Sequence, residues 1–451
     1  MKAVKSFDVL VIGAGSGLDV ASFAASKGMK VALVEEGPMG GTCLNRGCIP
    51  SKMLIHSADV ADTINSSRKF GIKATIQGID FSAIVKHVSD YVDNAARQIE
   101  TGIRQSSYIT HYKTKSKFIG KKLLQVHDET ITADKIIIAG GARAVIPPIN
   151  GLDSVPYLTS KEALRLQKQP EHLVIIGGGY ISAELAHFFG ALGTKITMLV
   201  RDEVLIRNED SEIARWFTDE FSKRYDIRFR TEAESLYKEG KNTKIKLKDS
   251  DEVITADQLL IATGIRSNAD ILDARASNIE TNEKGYIKVN DYFETNVEDI
   301  WAFGDITGLM PFKHVANDQV GPVIHNAFFG QKETVDYRKI PHAVFSSPQV
   351  AGVGYTEDEL KQKGINYKVG KYELKNTGMG SALQDNGLVK ILVGKEDKIL
   401  GGHIVGPDAT TLIHEIVIAM NATGKTNAIT KAVYAHPALS EWVQRAFYSV
   451  A

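Results

Sequence analysis

Two glycine turns, each set between an apolar strand and a helix, constrain this 451-residue chain more than any other feature. Asp8-Val9-Leu10-Val11-Ile12 runs into Gly13-Ala14-Gly15-Ser16-Gly17 and then into helix-like Val20-Ala21-Ser22-Phe23-Ala24-Ala25. About 164 residues later, His172-Leu173-Val174-Ile175-Ile176 runs into Gly177-Gly178-Gly179-Tyr180 and Ile181-Ser182-Ala183-Glu184. Strand, tight glycine turn and helix make a dinucleotide site: the first glycine permits the turn, and the second lets a pyrophosphate reach the amides at the helix N-terminus. Gly13 and Gly15 fill these places first, Gly177 and Gly179 later. Leu18 stands at the first turn's third glycine position, which predicts looser packing of helix on strand there.

The strand after each turn indicates the kind of dinucleotide. Val31-Ala32-Leu33-Val34 ends in Glu35, about twenty residues past its turn, where an acid binds ribose hydroxyls. Lys195 to Val200 ends without an acid, and Arg201 and Arg207 follow. Arginines there suit a ribose 2′-phosphate, with Asp202 and Glu203 as opposing carboxylates.

Between the two turns lie the only two cysteines, in Gly40-Gly41-Thr42-Cys43-Leu44-Asn45-Arg46-Gly47-Cys48-Ile49-Pro50-Ser51-Lys52. Positions five apart in a regular helix are separated by about 8.6 Å between Cα atoms, beyond the roughly 4.4 to 6.8 Å that a disulfide tolerates. A bonded pair therefore requires an irregular turn, which Gly40, Gly41 and Gly47 permit. Pro50 suits the first turn of a helix through Met53-Leu54-Ile55, placing Cys48 near a helix N-terminus, where amide dipoles favour a thiolate. Two buried apolar cysteines are the plainer alternative. The glycines and proline favour a redox pair, and a dithiol between two dinucleotide turns pairs a flavin with a nicotinamide.

Residues 53 to 115 read as helices, Met53 through Val60 and Ile84 through Gln105, with Tyr112-Lys113-Thr114-Lys115 as a short strand. Lys135-Ile136-Ile137-Ile138 is a buried strand ending in Ala139-Gly140-Gly141, and Pro147-Pro148 marks a boundary near residue 150. Leu259-Leu260-Ile261 leads to Ala262-Thr263-Gly264. Thr295 through Ala302 reads as a strand, with Asp305 held at its glycine-flanked end. From about residue 341 the pattern turns α+β: strands at Val350 to Val353, Leu388 to Val393 and Leu400 to Val405, and a helix at Leu412 to Met420. His436-Pro437-Ala438-Leu439-Ser440-Glu441 carries either an acid–base pair or an exposed turn.

The 54 basic and 54 acidic residues balance, so no global field invites nucleic acid or a membrane surface. The amino terminus lacks a signal-peptide pattern, no apolar run is long enough to span a bilayer, and no metal site is expected. Two cysteines do not make a secreted disulfide framework, so a reducing cytoplasm is the expected compartment.

Taken together, GGTCLNRGCIPSK at Gly40 to Lys52, GGGYISAE at Gly177 to Glu184, IWAFGD at Ile300 to Asp305 and HPALSE at His436 to Glu441 closely resemble the pyridine nucleotide-disulfide oxidoreductases over essentially the whole chain. The resemblance implies an α/β fold with two Rossmann-like domains, FAD-binding (1–150) and NAD(P)-binding (151–270), a central segment completing the FAD site (271–340) and a dimerisation domain (341–451). It implies FAD on Gly13, Gly15, Glu35, Gly141 and Asp305, and a redox disulfide Cys43–Cys48 in which Cys48 lies nearer the flavin and Cys43 exchanges with substrate. Lys52 and Glu184 would pair beside the flavin; Gly177, Gly179, Tyr180, Glu184, Arg201, Arg207 and Gly264 would serve NAD(P), with Tyr180 as a lid. His436, oriented by Glu441 and followed by a cis peptide bond, would be the acid–base for the disulfide of a second subunit, making a homodimer.

Three positions depart from the pattern: Leu18, Gly140 in place of a threonine, and Ile265-Arg266-Ser267-Asn268 in place of Arg-x-Pro-Asn. None touches the redox atoms. The sequence points to NADPH-dependent reduction of a small disulfide. The alternatives are an NAD-dependent dihydrolipoamide dehydrogenase within a multienzyme complex and a non-catalytic flavin redox sensor. Mercuric reduction is disfavoured because no further cysteines are present.

Overall fold

The computed structural model describes residues 3–451. The chain forms two compact units, each gathered from separated stretches. The first takes residues up to Ser51, Val85–Val145 and Gly264–Val335; the second takes Lys52–Ile84, Ile146–Thr263 and Asp336–Ala451.

The first unit is built on a seven-stranded sheet. Its parallel strands lie in the order Ile109–Tyr112, Val31–Val34, Lys5–Ile12, Glu129–Ile138, Ile300–Ala302, the doubly wound arrangement that opens a ligand crevice beyond the strand ends. Alternation along each strand divides the apolar side chains between two cores. Leu10, Ile12, Ile136 and Ile138 fill one face, while Val9, Val11 and Ile137 pack with Val20 and Ala24 on the other. Burying both faces is what a parallel sheet requires, at about 1.5–3 kcal/mol for each large side chain.

Three expectations are corrected here. The strand expected at Tyr112 to Lys115 lies earlier, at Ile109–Tyr112, as an edge strand beside Val31–Val34, because the β-branched and aromatic residues that fit a pleated edge precede Lys113. The strand expected from Thr295 is confined to Ile300–Ala302, since Asp299 is left-handed (φ 58°) and interrupts extension just before it. Leu18 does not loosen the helix: that helix, Gly17–Ser26, starts one residue earlier, and a Cβ on Gly17 would stand 3.0 Å from Val11 Cγ1 and 3.2 Å from Ala139 Cβ. Gly17 thus makes the close approach assigned to the third glycine.

The second unit holds a four-stranded parallel sheet in the order Asp226–Phe229, Lys195–Val200, His172–Ile176, Gln258–Ile261, and a three-stranded antiparallel sheet, Ala233–Glu239, Asn242–Leu247 and Val253–Ala256. Its third sheet is antiparallel and five-stranded: His342–Val344, Gln349–Gly354, Ile399–Gly406, Leu388–Val393, Lys368–Glu373. Helices Ala409–Ala422 and Ser440–Tyr448 cover one face around the buried Trp442. Helix Ser211–Ser222 lies against the same sheet, and every residue of Leu388–Val393 is buried. No described helix is long and apolar enough to cross a membrane.

Candidate functional site

The first glycine turn is shaped by close contacts. Gly13 sits at φ 102°, and a Cβ there would fall 2.2 Å from the Ala139 carbonyl oxygen. A Cβ on Gly41 would fall 2.6 Å from Gly15 Cα, so the cysteine loop is packed directly on the turn. The Glu35 carboxylate accepts from the Ala14 amide at 2.8 Å and from the Gly37 amide at 2.8 Å, tying strand end to turn. Asp305 opens a short 3-10 turn, Gly304–Thr307. Burial raises its pKa, with Lys313 pulling the other way, and among the described residues no group donates to its carboxylate. A cramped glycine turn, a carboxylate at the strand end and a half-buried carboxylate without donors suit a dinucleotide with ribose and ribityl hydroxyls.

Beside that turn, helix Gly41–Arg46 ends at Gly47 (φ −144°, ψ −117°), and Cys48 begins helix Cys48–Ser66. The break is the irregular turn the cysteine spacing demands. Asn45 fixes the loop, its amide donating to the Met39 and Gly41 carbonyls at 2.9 Å each. Cys43 and Cys48 are half-buried thiols, not joined in a disulfide and hydrogen-bonded to one another. The bond to Cys48, then burial, push the Cys43 thiol strongly upward, against the pull of Lys313. Of the two sulfurs Cys43 is the one whose proton is held more firmly, while Cys48 stands at a helix start, where amide dipoles favour a thiolate.

Lys313 was missed by the sequence reading. Its Nζ bonds Ser16 Oγ at 2.8 Å, and it also bonds Asn317, which accepts from Ser16 at 3.0 Å. It is a cation influencing both Cys43 and Asp305. Nothing in Pro311-Phe312-Lys313-His314 signals this, because the partners come from distant segments.

In the second unit, Lys52 Nζ lies 2.8 Å from both oxygens of Glu184. The Phe345 amide donates to Glu184 Oε1 at 3.0 Å, and the Lys52 ammonium stands 4.5 Å from the Phe345 ring centre. Glu184 is buried and Lys52 one-third exposed, so the pair presents its cationic end outward. A second link, also missed, joins the same two helices: fully buried His187 Nε2 lies 2.8 Å from Asp59 Oδ1. Next to it, Arg224 grips Asp62 through 2.6 and 2.7 Å contacts.

The second glycine turn repeats the first. Gly177 sits at φ 136°, and a Cβ there would meet the Ala262 carbonyl oxygen at 2.3 Å. Gly179 and half-buried Tyr180 begin helix Tyr180–Ala191. Gly141 (φ 66°) and Gly264 (φ 119°) have open space where a Cβ would stand. Past Val200 the expected arginines are exposed, but Arg207 pairs with Asp202 at 2.9 Å, while Glu203 pairs with Arg230 at 2.6 Å.

His436 Nδ1 lies 3.0 and 3.1 Å from the Glu441 oxygens, and the Ala438 amide donates to Glu441 at 3.0 Å. The His436–Pro437 peptide is cis, as the resemblance implied. The His436 side chain is 76% exposed and that of Glu441 15%, leaving the imidazole open to an approaching molecule. First the imidazole bond, then the amide bond, hold the Glu441 pKa below the usual range.

Comparison with known proteins agrees with this chemistry. Residues 7–327 match the model "Pyridine nucleotide-disulphide oxidoreductase", and residues 340–447 match that family's dimerisation domain. Mycothione reductase of Mycobacterium tuberculosis is 36% identical, over 98% of this chain and 99% of its own. Dihydrolipoyl dehydrogenase 1, mitochondrial, of Arabidopsis thaliana is 34% identical, over 97% and 89%. The Cu(II) complex of HOCl-induced flavoprotein disulfide reductase RclA from Escherichia coli superposes with a TM-score of 0.88 at 27% identity, covering 99% of each chain. The chain belongs to the pyridine nucleotide-disulphide oxidoreductases and is a flavin- and nicotinamide-dependent disulfide oxidoreductase.

Proposed function

We propose that the protein reduces a low-molecular-weight disulfide with NADPH, through Cys43 and Cys48, as a cytoplasmic homodimer. The observation that carries this reading is the hydrogen-bonded cysteine pair, with Cys48 opening a helix and Cys43 holding the proton. Gly13, Gly15, Glu35, Gly141 and Asp305 hold FAD, and Lys52, fixed by Glu184, supplies a cation for it. Gly177, Gly179, Arg201, Arg207 and Gly264 take the nicotinamide dinucleotide, with Tyr180 as its lid. Bound FAD supplies two-electron transfer between the nicotinamide and the Cys43–Cys48 disulfide.

With the pair reduced, His436 of a second subunit takes the Cys43 proton through its open nitrogen. The Cys43 sulfur then attacks the substrate disulfide: a Cys43–substrate bond forms, the substrate S–S bond breaks, and the leaving thiolate takes the proton back from His436. Cys48 next attacks the Cys43 sulfur, re-forming Cys43–Cys48 and releasing the second thiolate. One NADPH and one proton are consumed, and two thiols are made from one disulfide. Because Cys43 holds its proton at rest, the base is needed before exchange begins.

The Arg207–Asp202 pair favours a second reading. A carboxylate already on the arginine competes with a 2′-phosphate and can itself bind ribose hydroxyls, which is the arrangement for NAD and a dihydrolipoamide dehydrogenase. Steady-state assays with NADPH and NADH against mycothione, glutathione disulfide, bis-γ-glutamylcystine and lipoamide separate the two. The NADPH reading requires a higher kcat/KM with NADPH and a preferred small disulfide. Preference for NADH with lipoamide moves the assignment to the second.

A further inference from the structure

In the five-stranded sheet of the second unit, the strand register lines up one row of residues: His342 opposite Gly352, Gly352 opposite His403, His403 opposite Lys390, Lys390 opposite Lys371. Every member except glycine is basic or imidazole. Gly352 cannot be larger, since a Cβ there would stand 2.7 Å from His342 Nε2 and 2.8 Å from His403 Nδ1. Facing this row is an acidic set from Glu209-Asp210-Ser211-Glu212, where helix Ser211–Ser222 begins, joined by Glu357. His342 Nε2 lies 2.7 Å from Glu209, and Lys371 lies 2.7 Å from Glu212. Lys390, with no exposed side-chain surface, reaches Asp210 at 2.7 Å, Glu357 at 2.6 Å and Glu212 at 3.2 Å.

Each charge is kept by its neighbours. Burial alone would neutralise Lys390, but the Asp210, Glu357 and Glu212 carboxylates raise its pKa. Asp210 is likewise held below the usual range against burial, by charge and hydrogen bonds from the row and from the Glu357 amide. Burial lowers the His403 pKa, and its Nε2 donates to the Tyr355 carbonyl at 2.9 Å. A buried ionic array is a costly way to gain stability, since apolar residues of similar volume commonly do as well or better. What it does fix is the position of Glu209 and Asp210.

Those two residues end the loop that leaves strand Lys195–Val200 carrying Arg201 and Arg207. Inside the loop, the Ile206 amide bonds the Gly178 carbonyl at 2.7 Å, and the Leu205 amide bonds Thr218 at 3.0 Å. The loop is therefore tied to the glycine turn at its middle and to the basic row at its end. We propose that His342 and Lys390 are positioning residues for the second dinucleotide, holding the loop between Val200 and Ser211 against the adenosine end. This rests on the reading that the loop receives adenosine ribose, whichever phosphate that ribose carries.

The test uses the full-length flavoprotein with His342→Ala, Glu209→Ala and His342→Gln. For His342→Ala and Glu209→Ala, KM for the preferred nicotinamide nucleotide rises about tenfold, with kcat at saturating nucleotide and KM for the disulfide kept. His342→Gln, which can still donate to Glu209, recovers most of the affinity. Measuring NADPH and NADH separately keeps the two proposals apart: if wild type prefers NADH, the NADPH reading fails, yet the variants must still raise KM for NADH. Should His342→Ala fail to fold, Glu209→Ala carries the test. Folded variants with full flavin content and unchanged nucleotide KM overturn the proposal, as does a fall in kcat that His342→Gln does not relieve.

Discussion

Which sulfur carries the charge decides what each cysteine can do. Cys48 and burial push the Cys43 thiol upward, and Cys48 stands at a helix start, so Cys48 is the sulfur expected to carry the charge. Cys48→Ser is expected to abolish the long-wavelength absorption of the two-electron-reduced protein, whereas Cys43→Ser keeps a thiolate band even without reductant. The reverse pattern in anaerobic spectra exchanges the two roles. At the other chemical group, His436→Ala should lower kcat/KM for the disulfide by about 10²- to 10⁴-fold, the usual scale for a positioned acid–base. Glu441→Gln should lose less, because the ring stays and only its orientation is weakened. The Glu441 pKa is depressed by His436, so its charged support is complete above the ordinary carboxylate pKa and fades as pH falls through the depressed value. Wild type and Glu441→Gln should therefore converge at the acid end of the pH profile and separate above it; parallel profiles would show that Glu441 does not orient the ring.

Among the elements, Gly177 offers a selective test. Its φ of 136° and the 2.3 Å approach to the Ala262 carbonyl leave no place for a methyl group. Gly177→Ala should cost about 1–3 kcal/mol in backbone strain and raise the nucleotide KM at least tenfold, while the flavin content stays at one per chain. A folded Gly177→Ala protein with wild-type nucleotide KM would remove the second glycine turn from the binding site. The elements legible in the sequence were those with local signals. Val31–Val34, His172–Ile176, Lys195–Val200 and Leu388–Val393 carry their own apolar runs and have the expected limits. Ile109–Tyr112 was obscured by the long helix before it, and Asp299 ended a strand through a backbone conformation its side chain does not announce. Of the candidate site, the glycines, cysteines, Lys52–Glu184 and His436–Glu441 could be read from motifs. Lys313, His187 and Lys390 could not, because their significance lies in partners brought from far along the chain: Ser16 for Lys313, Asp59 for His187 and Asp210 for Lys390. A lone Lys390 within Leu388-Val389-Lys390-Ile391 reads as an exposed interruption until the acids facing it are known.

At the scale of the molecule, the unused reactivity of His436 calls for a second chain. Its imidazole is held by Glu441 at one nitrogen and is otherwise exposed, an arrangement prepared for a partner. The same region leaves large apolar side chains in solvent, with Ile418 67% and Val433 100% exposed. Apolar groups this open within a segment matching a dimerisation domain mark a surface to be covered. The expected assembly is a homodimer built on residues 341 to 451, in which His436 of one chain serves Cys43 of the other. His436→Ala and Cys43→Ser are then each inactive as homodimers for different reasons, one lacking the base and the other the attacking sulfur. After subunit exchange, a mixed dimer has one site that combines an intact cysteine pair with an intact histidine and one site that lacks both. Random exchange of equal amounts makes half the dimers mixed, each with one working site of two, so activity should return to about one quarter of wild type. Mass spectrometry of differently tagged subunits verifies the exchange. Mixed dimers without activity would show that each chain completes its own chemistry, and that the exposed imidazole serves another purpose.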